Sequence, residues 1–282
     1  MNGLVTYLRE RFPLPAVAAV ALGTASMLVG FVSRFEPTGR YFGVTALVAL
    51  MFFAFLLRLR VTDEFKDSAH DTANYPNRPV QRGVIARSTL VLVGVVALAV
   101  ELGAAFGAGA LIGNPGAIVW YLPVLGYSAL TGVEFFAATW LERHFTIYFI
   151  SHQLLSVWFA VWAIALVGAP LSFPITYAAE GFVFAMAVFE IVRKFEVRIG
   201  TDGKPVADTY PTAWGRGRAI VVLAIFVFIV GERFALASGN PAVEIVGVAA
   251  VLGIAALRNS DNAVRGIAML SFFLTAIVEF LT

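Results

Sequence analysis

YFGVTALVALMFFAFLLRLRVTDEFKDSAHDTANYPNRPVQRG, residues 41–83, changes character once. The first half is apolar enough to run as a helix into hydrocarbon, with its arginines snorkelling to the interface. The second half sets Asp63, Glu64, Asp67 and Asp71 into nine positions and then turns. Acidic side chains at a membrane face are costly unless a cation or partner compensates them, so this stretch ties the fold to the function.

Outward from it, apolar segments fall near 14–33, 41–57, 84–112, 115–138, 145–168, 173–192, 217–238, 241–257 and 263–281. Each approaches or exceeds the length a helix needs to cross a bilayer. The composition agrees: 60% hydrophobic, 13% charged and a mean hydropathy of +0.84, far from a soluble domain. The expectation is an all-α, polytopic bundle of nine transmembrane helices forming one membrane domain over 1–282. The first apolar segment is too long and lacks a small-residue processing site for a cleaved signal, so it is read as the first membrane helix. There is no cysteine, which excludes disulfides, thiol nucleophiles and thiolate metal sites.

With the N-terminus inside, all of the 20 Lys and Arg except Arg34, Arg40 and Arg233 fall on the cytosolic side. That asymmetry predicts an integral protein of a bacterial-type cytoplasmic membrane. It also predicts that the long polar connections, 58–83 and 193–216, are both cytosolic. Membrane lipids are the expected surroundings; neither nucleic acid nor a required protein partner is implied.

Asp63, Asp67 and Asp71 follow i, i+4, i+8 spacing, with Glu64 three before Asp67, so the second membrane helix is expected to continue with its carboxylates on one surface. Asn74 to Pro79 then breaks it, with Gly83 near the next helix. The second connection, EIVRKFEVRIGTDGKPVADTYPTAWG (190–215), places Glu190 and Lys194 at i, i+4 and carries Arg193, Glu196, Asp202 and Asp208.

Four adjacent carboxylates repel one another, and a hard divalent cation relieves that repulsion. Magnesium commonly joins one or two carboxylates to phosphate oxygens, which suggests a phosphate-bearing substrate; a solvated acidic helix end paired with local Arg and Lys is the simpler alternative. Arg78, Arg82, Arg193, Lys194, Arg198 and Lys204 are candidate phosphate contacts, or residues that only satisfy the charge asymmetry. Tyr75, Tyr210 and Trp214 are pocket or interfacial aromatics. His70 is a candidate proton carrier or a structural hydrogen-bonding group. His144 and His152 lack a metal-ligand pattern, and Glu134 either enters a polar cavity or, as the simpler reading, serves helix-end packing or interfacial solvation.

With these residues in place, the chain resembles the UbiA superfamily of intramembrane prenyltransferases. The family's NDxxDxxxD signature, followed by an NRP turn and a glycine, is similar to DEFKDSAHD followed by YPNRPVQRG. Asp63 takes the asparagine position, Glu64, Asp67 and Asp71 the acidic ones, and Asn77, Arg78, Pro79 and Gly83 the turn. In the second region Glu190 is the first acid, while Lys194 stands where a second acid is expected, and Thr209, Pro211 and Gly215 match the later turn.

The resemblance implies magnesium-dependent transfer of an isoprenyl group from an isoprenyl diphosphate to a hydrophobic or aromatic acceptor. Asp63, Glu64, Asp67, Asp71 and Glu190 become the expected metal ligands, and Asp67, Asp71 and Lys194 the expected catalytic residues. Asn77, Arg78, Arg82, Arg193, Lys194 and Tyr210 become the expected substrate contacts. Internal terpene cyclisation, phosphoribosyl transfer to a polyprenyl phosphate and non-enzymatic transport are the alternatives.

Overall fold

A computed structural model describes residues 3–33, 40–168 and 170–281. In chain order its helices are α1 (Gly3–Arg11), α2 (Leu14–Ser33), α3 (Arg40–Lys66), α4 (Ser68–Asn74), α5 (Arg87–Leu111), α6 (Leu122–Gly132), α7 (Ala138–Arg143), α8 (Phe145–Val167), α9 (Phe173–Arg193), α10 (Arg216–Ser238), α11 (Pro241–Ala256) and α12 (Asp261–Leu281). No strand occurs among the described residues, in line with the all-α expectation.

Six of these helices, α3, α5, α8, α9, α10 and α12, lie in segments long and apolar enough to cross a bilayer. The α1–α2 pair, bent by 54° around Pro13, makes a seventh if counted as one span. The chain is therefore an integral membrane protein. The expected count of nine also included 115–138 and 241–257. Residues 115–138 are broken into a 3-10 helix at Pro115–Tyr121, the eleven-residue α6 and a turn at Glu134–Phe136. Eleven residues rise only about 16 Å, and the sixteen of α11 about 24 Å, against a hydrocarbon core of about 30 Å. Arg34 lies outside the described residues.

Packing follows side-chain size. Helix α5 turns Val91, Leu92, Val95, Val96 and Phe106 outward and buries Ala97, Ala104, Ala105 and Ala108. In lipid the driving force for association comes from close approach rather than from hiding apolar surface, so small residues belong inside. Antiparallel α3 brings Val61 onto Gly94 at one end of α5 and Gly43 onto Leu111 at the other. Helices α10 and α11 meet at Gly231 and Gly247, where an added Cβ on Gly231 would lie 3.0 Å from the Gly247 Cα. Helix α10 ends at Gly239, with φ at 67°, and Asn240 caps α11 by accepting from the Ala242 N–H at 3.0 Å.

The acidic helix extension forms as the spacing predicts. Asp67 N–H donates to the Asp63 carbonyl, Asp71 to Asp67 and Tyr75 to Asp71, each at 2.8 Å, so the i to i−4 ladder runs from α3 through α4 with only a local distortion at Asp67. Val84 N–H then closes on the Pro79 carbonyl, and Gly83 takes φ of 71°.

Arg58 does not snorkel outward as expected. It is 14% exposed and points inward to Glu101, which is fully buried. Its Nε and Nη2 donate to the two Glu101 oxygens at 2.6 and 2.9 Å, Nη2 also reaches Ser128 Oγ, and the Tyr121 hydroxyl donates to Glu101 at 2.9 Å. A buried carboxylate would be left without a counter-ion if Arg58 turned outward, which accounts for the direction of the side chain.

Candidate active site

Both polar connections come to one end of the bundle, where three linked groups of charged side chains form. The first surrounds the buried carboxylates. Glu64 accepts from Arg11 Nε of α1 at 3.0 Å and lies 3.0 Å from Arg60 Nη2. Asp71 pairs closely with Arg78 and lies 3.9 Å from Arg11. Arg78 in turn lies 3.9 Å from the centre of the Tyr75 ring. Glu64 Oε2 and Asp71 Oδ2 are nevertheless buried without a hydrogen-bond partner. Arg11 joins this group through the α1–α2 bend; in the sequence it is legible only as a basic residue before the first span.

The second group opens toward solvent. Asp63 and Asp67, 32% and 39% exposed, are held loosely: Lys66 Nζ lies 3.9 Å from Asp63 and 3.7 Å from Asp67, and Arg60 lies 4.0 Å from Asp63. Burial holds the Asp67 carboxyl above its ordinary range; Asp63 and Asp71 reinforce the shift, while Lys66 and Lys194 oppose it. Lys66 is 3.2 Å from Glu134, which the sequence left to helix-end packing. Glu134, Phe135 and Phe136 all have left-handed backbones, φ 49°, 53° and 58°. Three consecutive non-glycine residues there cost about 1–2 kcal/mol each, and such strain clusters at functional sites.

The third group is set by α9. Glu190 accepts from Arg193 Nη2 at 2.7 Å, lies 3.3 Å from Lys194 Nζ and 3.4 Å from the Tyr210 hydroxyl, so it anchors cations. Lys66 and Lys194 lie 5.8 and 5.6 Å from the centre of the Tyr148 ring, placing two ammonium groups on one aromatic platform. His152 stands on the same ring at 4.1 Å.

The two connections are tied together above this site. Tyr75 donates to Asp208 Oδ2 at 2.8 Å, with His70 at 3.8 Å and Arg198 at 3.6 Å from the same oxygen, and Thr201 donates to the Ala73 carbonyl. The Asp208 carboxylate beside His70 raises its pKa, and burial followed by the hydrogen bond to Asp208 pushes the Tyr75 hydroxyl up to about 12. Asp208 is held below the usual carboxylate range: burial opposes this, but the neighbouring His70, the Tyr75 hydrogen bond and Arg198 outweigh it.

Of the expected site residues, Asp63, Glu64, Asp67, Asp71, Arg78, Glu190, Arg193, Lys194 and Tyr210 gather at this end. Asn77 is exposed on the turn, and Arg82 is exposed and forked onto Glu10 of α1 at 2.9 Å, away from the carboxylates. Among the described residues no three His, Asp or Glu side chains are arranged as a ready metal-ligand set. Hard oxygen donors are present all the same. Asp63 and Asp67 are the loosely held, accessible pair, and a magnesium ion needs only one or two carboxylates when phosphate oxygens complete its shell. The residues fit a site completed by substrate.

No family model matches the chain, and no curated protein matches it. Its fold is shared with a solved structure of a digeranylgeranylglyceryl phosphate synthase in membranes. That likeness covers all of both chains at 17% identity and a TM-score of 0.55.

Proposed function

We propose that the protein transfers an isoprenyl group from an isoprenyl diphosphate to a hydrophobic acceptor, and that Asp63 and Asp67 are the residues that would hold a magnesium ion together with the diphosphate. The observation that carries this reading is the meeting of loosely held carboxylates with the Lys66–Lys194 pair at one end of an apolar bundle whose fold is shared with that synthase. Diphosphate oxygens are hard acceptors, and Lys66, paired with Glu134, and Lys194 and Arg193, paired with Glu190, are the candidate donors. Bound there, magnesium would neutralise charge on the departing diphosphate. Glu190 fixes the direction of Arg193 and Lys194, and Glu134 that of Lys66. Arg11, Arg60 and Arg78 hold Glu64 and Asp71 beneath them.

The bundle keeps water from the carbon that loses diphosphate. The cavity between α2, α8 and α9, lined by Met27, Ala160, Ala163 and Phe182, holds about 10 Å³, room for no more than a water. A prenyl chain entering there requires helices to separate; the alternative course is along a lipid-facing groove.

The test is magnesium-dependent conversion of labelled isoprenyl diphosphates by purified protein in lipid, with membrane extract supplying acceptors and products identified by mass. A larger covalent product supports transfer. A diphosphate-free hydrocarbon points to cyclisation, and no conversion by folded protein rejects the reading.

A further inference from the structure

We infer that the Arg11 guanidinium, carried in by α1, serves as the cation between Glu64 and Asp71, so that these two acids are not metal ligands and the site takes one divalent ion with its diphosphate rather than two. The inference rests on the prenyl-transfer reading above. The carboxylates that the sequence points to, Asp63, Glu64, Asp67, Asp71 and Glu190, would suffice for a pair of ions, but the structure does not leave them all free. Arg11 Nε donates to Glu64 at 3.0 Å and its Nη2 lies 3.9 Å from Asp71, so one guanidinium spans two acids about two turns apart. Arg60 stands 3.0 Å from Glu64, and Arg78 pairs closely with Asp71. Both carboxylates are buried.

Three guanidiniums against two carboxylates leave this group with positive charge in excess, and a divalent ion brought into it would meet like charge at short range. Magnesium also demands near-octahedral room and sheds water reluctantly, whereas a guanidinium brings its donors in a fixed fork. Glu190 is committed in the same way, to Arg193 at 2.7 Å and Lys194 at 3.3 Å. Asp63 and Asp67 differ: the nearest cationic nitrogen paired with either is 3.7 Å away, and both open toward solvent. One pair of acids is left for one ion.

Arg11 is fixed along the whole of α1. Gly3 backs onto the Val84 carbonyl, with no room there for a side chain. Tyr7 is fully buried in a cluster with Val61, Ile85 and Leu90, and Glu10 accepts from Arg82 on both oxygens at 2.9 Å. These anchors tie α1 to the chain on either side of the acidic extension, so the guanidinium is delivered to Glu64 and Asp71 by packing as well as by charge. Glu64 Oε2 and Asp71 Oδ2 are buried without a hydrogen bond, and only the surrounding positive charge compensates them. They are the oxygens that a metal ion would meet if the Arg11 side chain were removed, so the inference predicts a gain of metal binding rather than a loss.

The experiment uses the full chain in lipid nanodiscs with a labelled thiolodiphosphate analogue of a long-chain isoprenyl donor, which binds without reacting. Manganese replaces magnesium, and its bound fraction is read by electron paramagnetic resonance. With saturating analogue, wild type should retain one manganese ion per chain and Arg11→Ala two. A purely structural role for Arg11 would give no second ion. Wild type that binds analogue with two ions overturns the inference alone, and Arg11→Ala that stays at one overturns the assignment to Arg11. Analogue bound with no ion overturns the inference together with the metal assignment to Asp63 and Asp67; no analogue bound overturns the prenyl-transfer reading beneath both. Should Arg11→Ala fail to insert, Glu64→Gln decides, since the amide oxygen can still accept from Arg11. Manganese affinity within about threefold of wild type supports the inference, and a larger loss makes Glu64 a ligand and overturns it.

Discussion

Arg58 of α3 and Glu101 of α5 form a two-pronged ion pair, 2.6 and 2.9 Å, inside the bundle, with the carboxylate closed off by the Tyr121 hydroxyl. Both charges are satisfied, so removing either leaves the other buried and uncompensated. Glu101→Ala is expected to destabilise the folded protein by about 3–5 kcal/mol, because breaking such a pair costs more than the pair contributes. Removing both with Arg58→Met and Glu101→Leu should cost less than either single change. Unfolding in mixed micelles, read by tryptophan fluorescence, checks both; additive losses would show that the pair is not coupled.

Asp63 and Asp67 are accessible and loosely held, whereas Asp71 is 2% exposed and closely paired with Arg78. The three should therefore respond differently. Asp67→Asn is expected to lower diphosphate-dependent turnover by about 100-fold or more and raise the magnesium concentration needed for half-maximal rate, with folding intact. Asp71→Asn should lower turnover and also destabilise, since it leaves the guanidiniums of Arg11 and Arg78 undercompensated. Equal turnover in folded Asp67→Asn and wild type would remove Asp67 from the site. The readouts are initial rates across a magnesium series and thermal unfolding of each variant.

How far the sequence reaches is visible in these same residues. The i, i+4, i+8 carboxylates and the turn at Pro79 are local, and backbone periodicity alone places them on a helix extension, where the structure has them. Glu190 and Lys194 were legible for the same reason. Arg11, Glu134, Tyr148 and His152 were not recognised as partners. Each reaches the site through a different helix or bend, and distance along the chain says nothing about which faces meet. Glu101 is the plainest case: it sits in an apolar run, and nothing nearby in sequence points to Arg58 as its counter-ion. A span at 115–138 is not confirmed, because hydropathy does not register where proline and a left-handed turn divide a helix.

The Tyr75–Asp208 bond at 2.8 Å joins connections 133 residues apart. Asp208 has a lowered carboxyl pKa in the fold, so its contribution to stability is present above the ordinary carboxylate value and is lost as pH falls through the lowered one. The Tyr75 hydroxyl is pushed up to about 12, so its contribution is present below the ordinary tyrosine value near 10 and lost as pH rises through the raised one. The clamp should thus hold across the neutral range and open in acid. Hydrogen exchange of 68–83 and 198–209 is expected to quicken below about pH 4 in wild type, near the ordinary aspartate value. Asp208→Asn should show fast exchange at pH 7 already; wild-type exchange that tracks only the intrinsic chemical rate would show that the clamp does not titrate.

Phe135 and Phe136 share a left-handed backbone, but their side chains differ in what they touch. Phe135 packs on Tyr127 at 5.4 Å and on His152 at 5.9 Å, while Phe136 is 85% exposed. Glycine adopts φ near +58° without the Cβ clash, so Phe136→Gly removes strain and loses little packing within the chain. The expected gain is on the order of 1 kcal/mol, reduced by the extra entropy of glycine in the unfolded chain. Phe135→Gly relieves the same clash but deletes a ring wedged between two aromatics, and should destabilise by about 1–3 kcal/mol. It should also disturb the approach of Lys66 to Glu134, and so raise the KM for an isoprenyl diphosphate, whereas Phe136→Gly leaves that KM unchanged. Unfolding midpoints and donor KM for the two variants, measured side by side in the same lipid, separate backbone strain from side-chain packing. A Phe136→Gly protein less stable than wild type would show that the exposed ring is held by lipid more strongly than its backbone is strained.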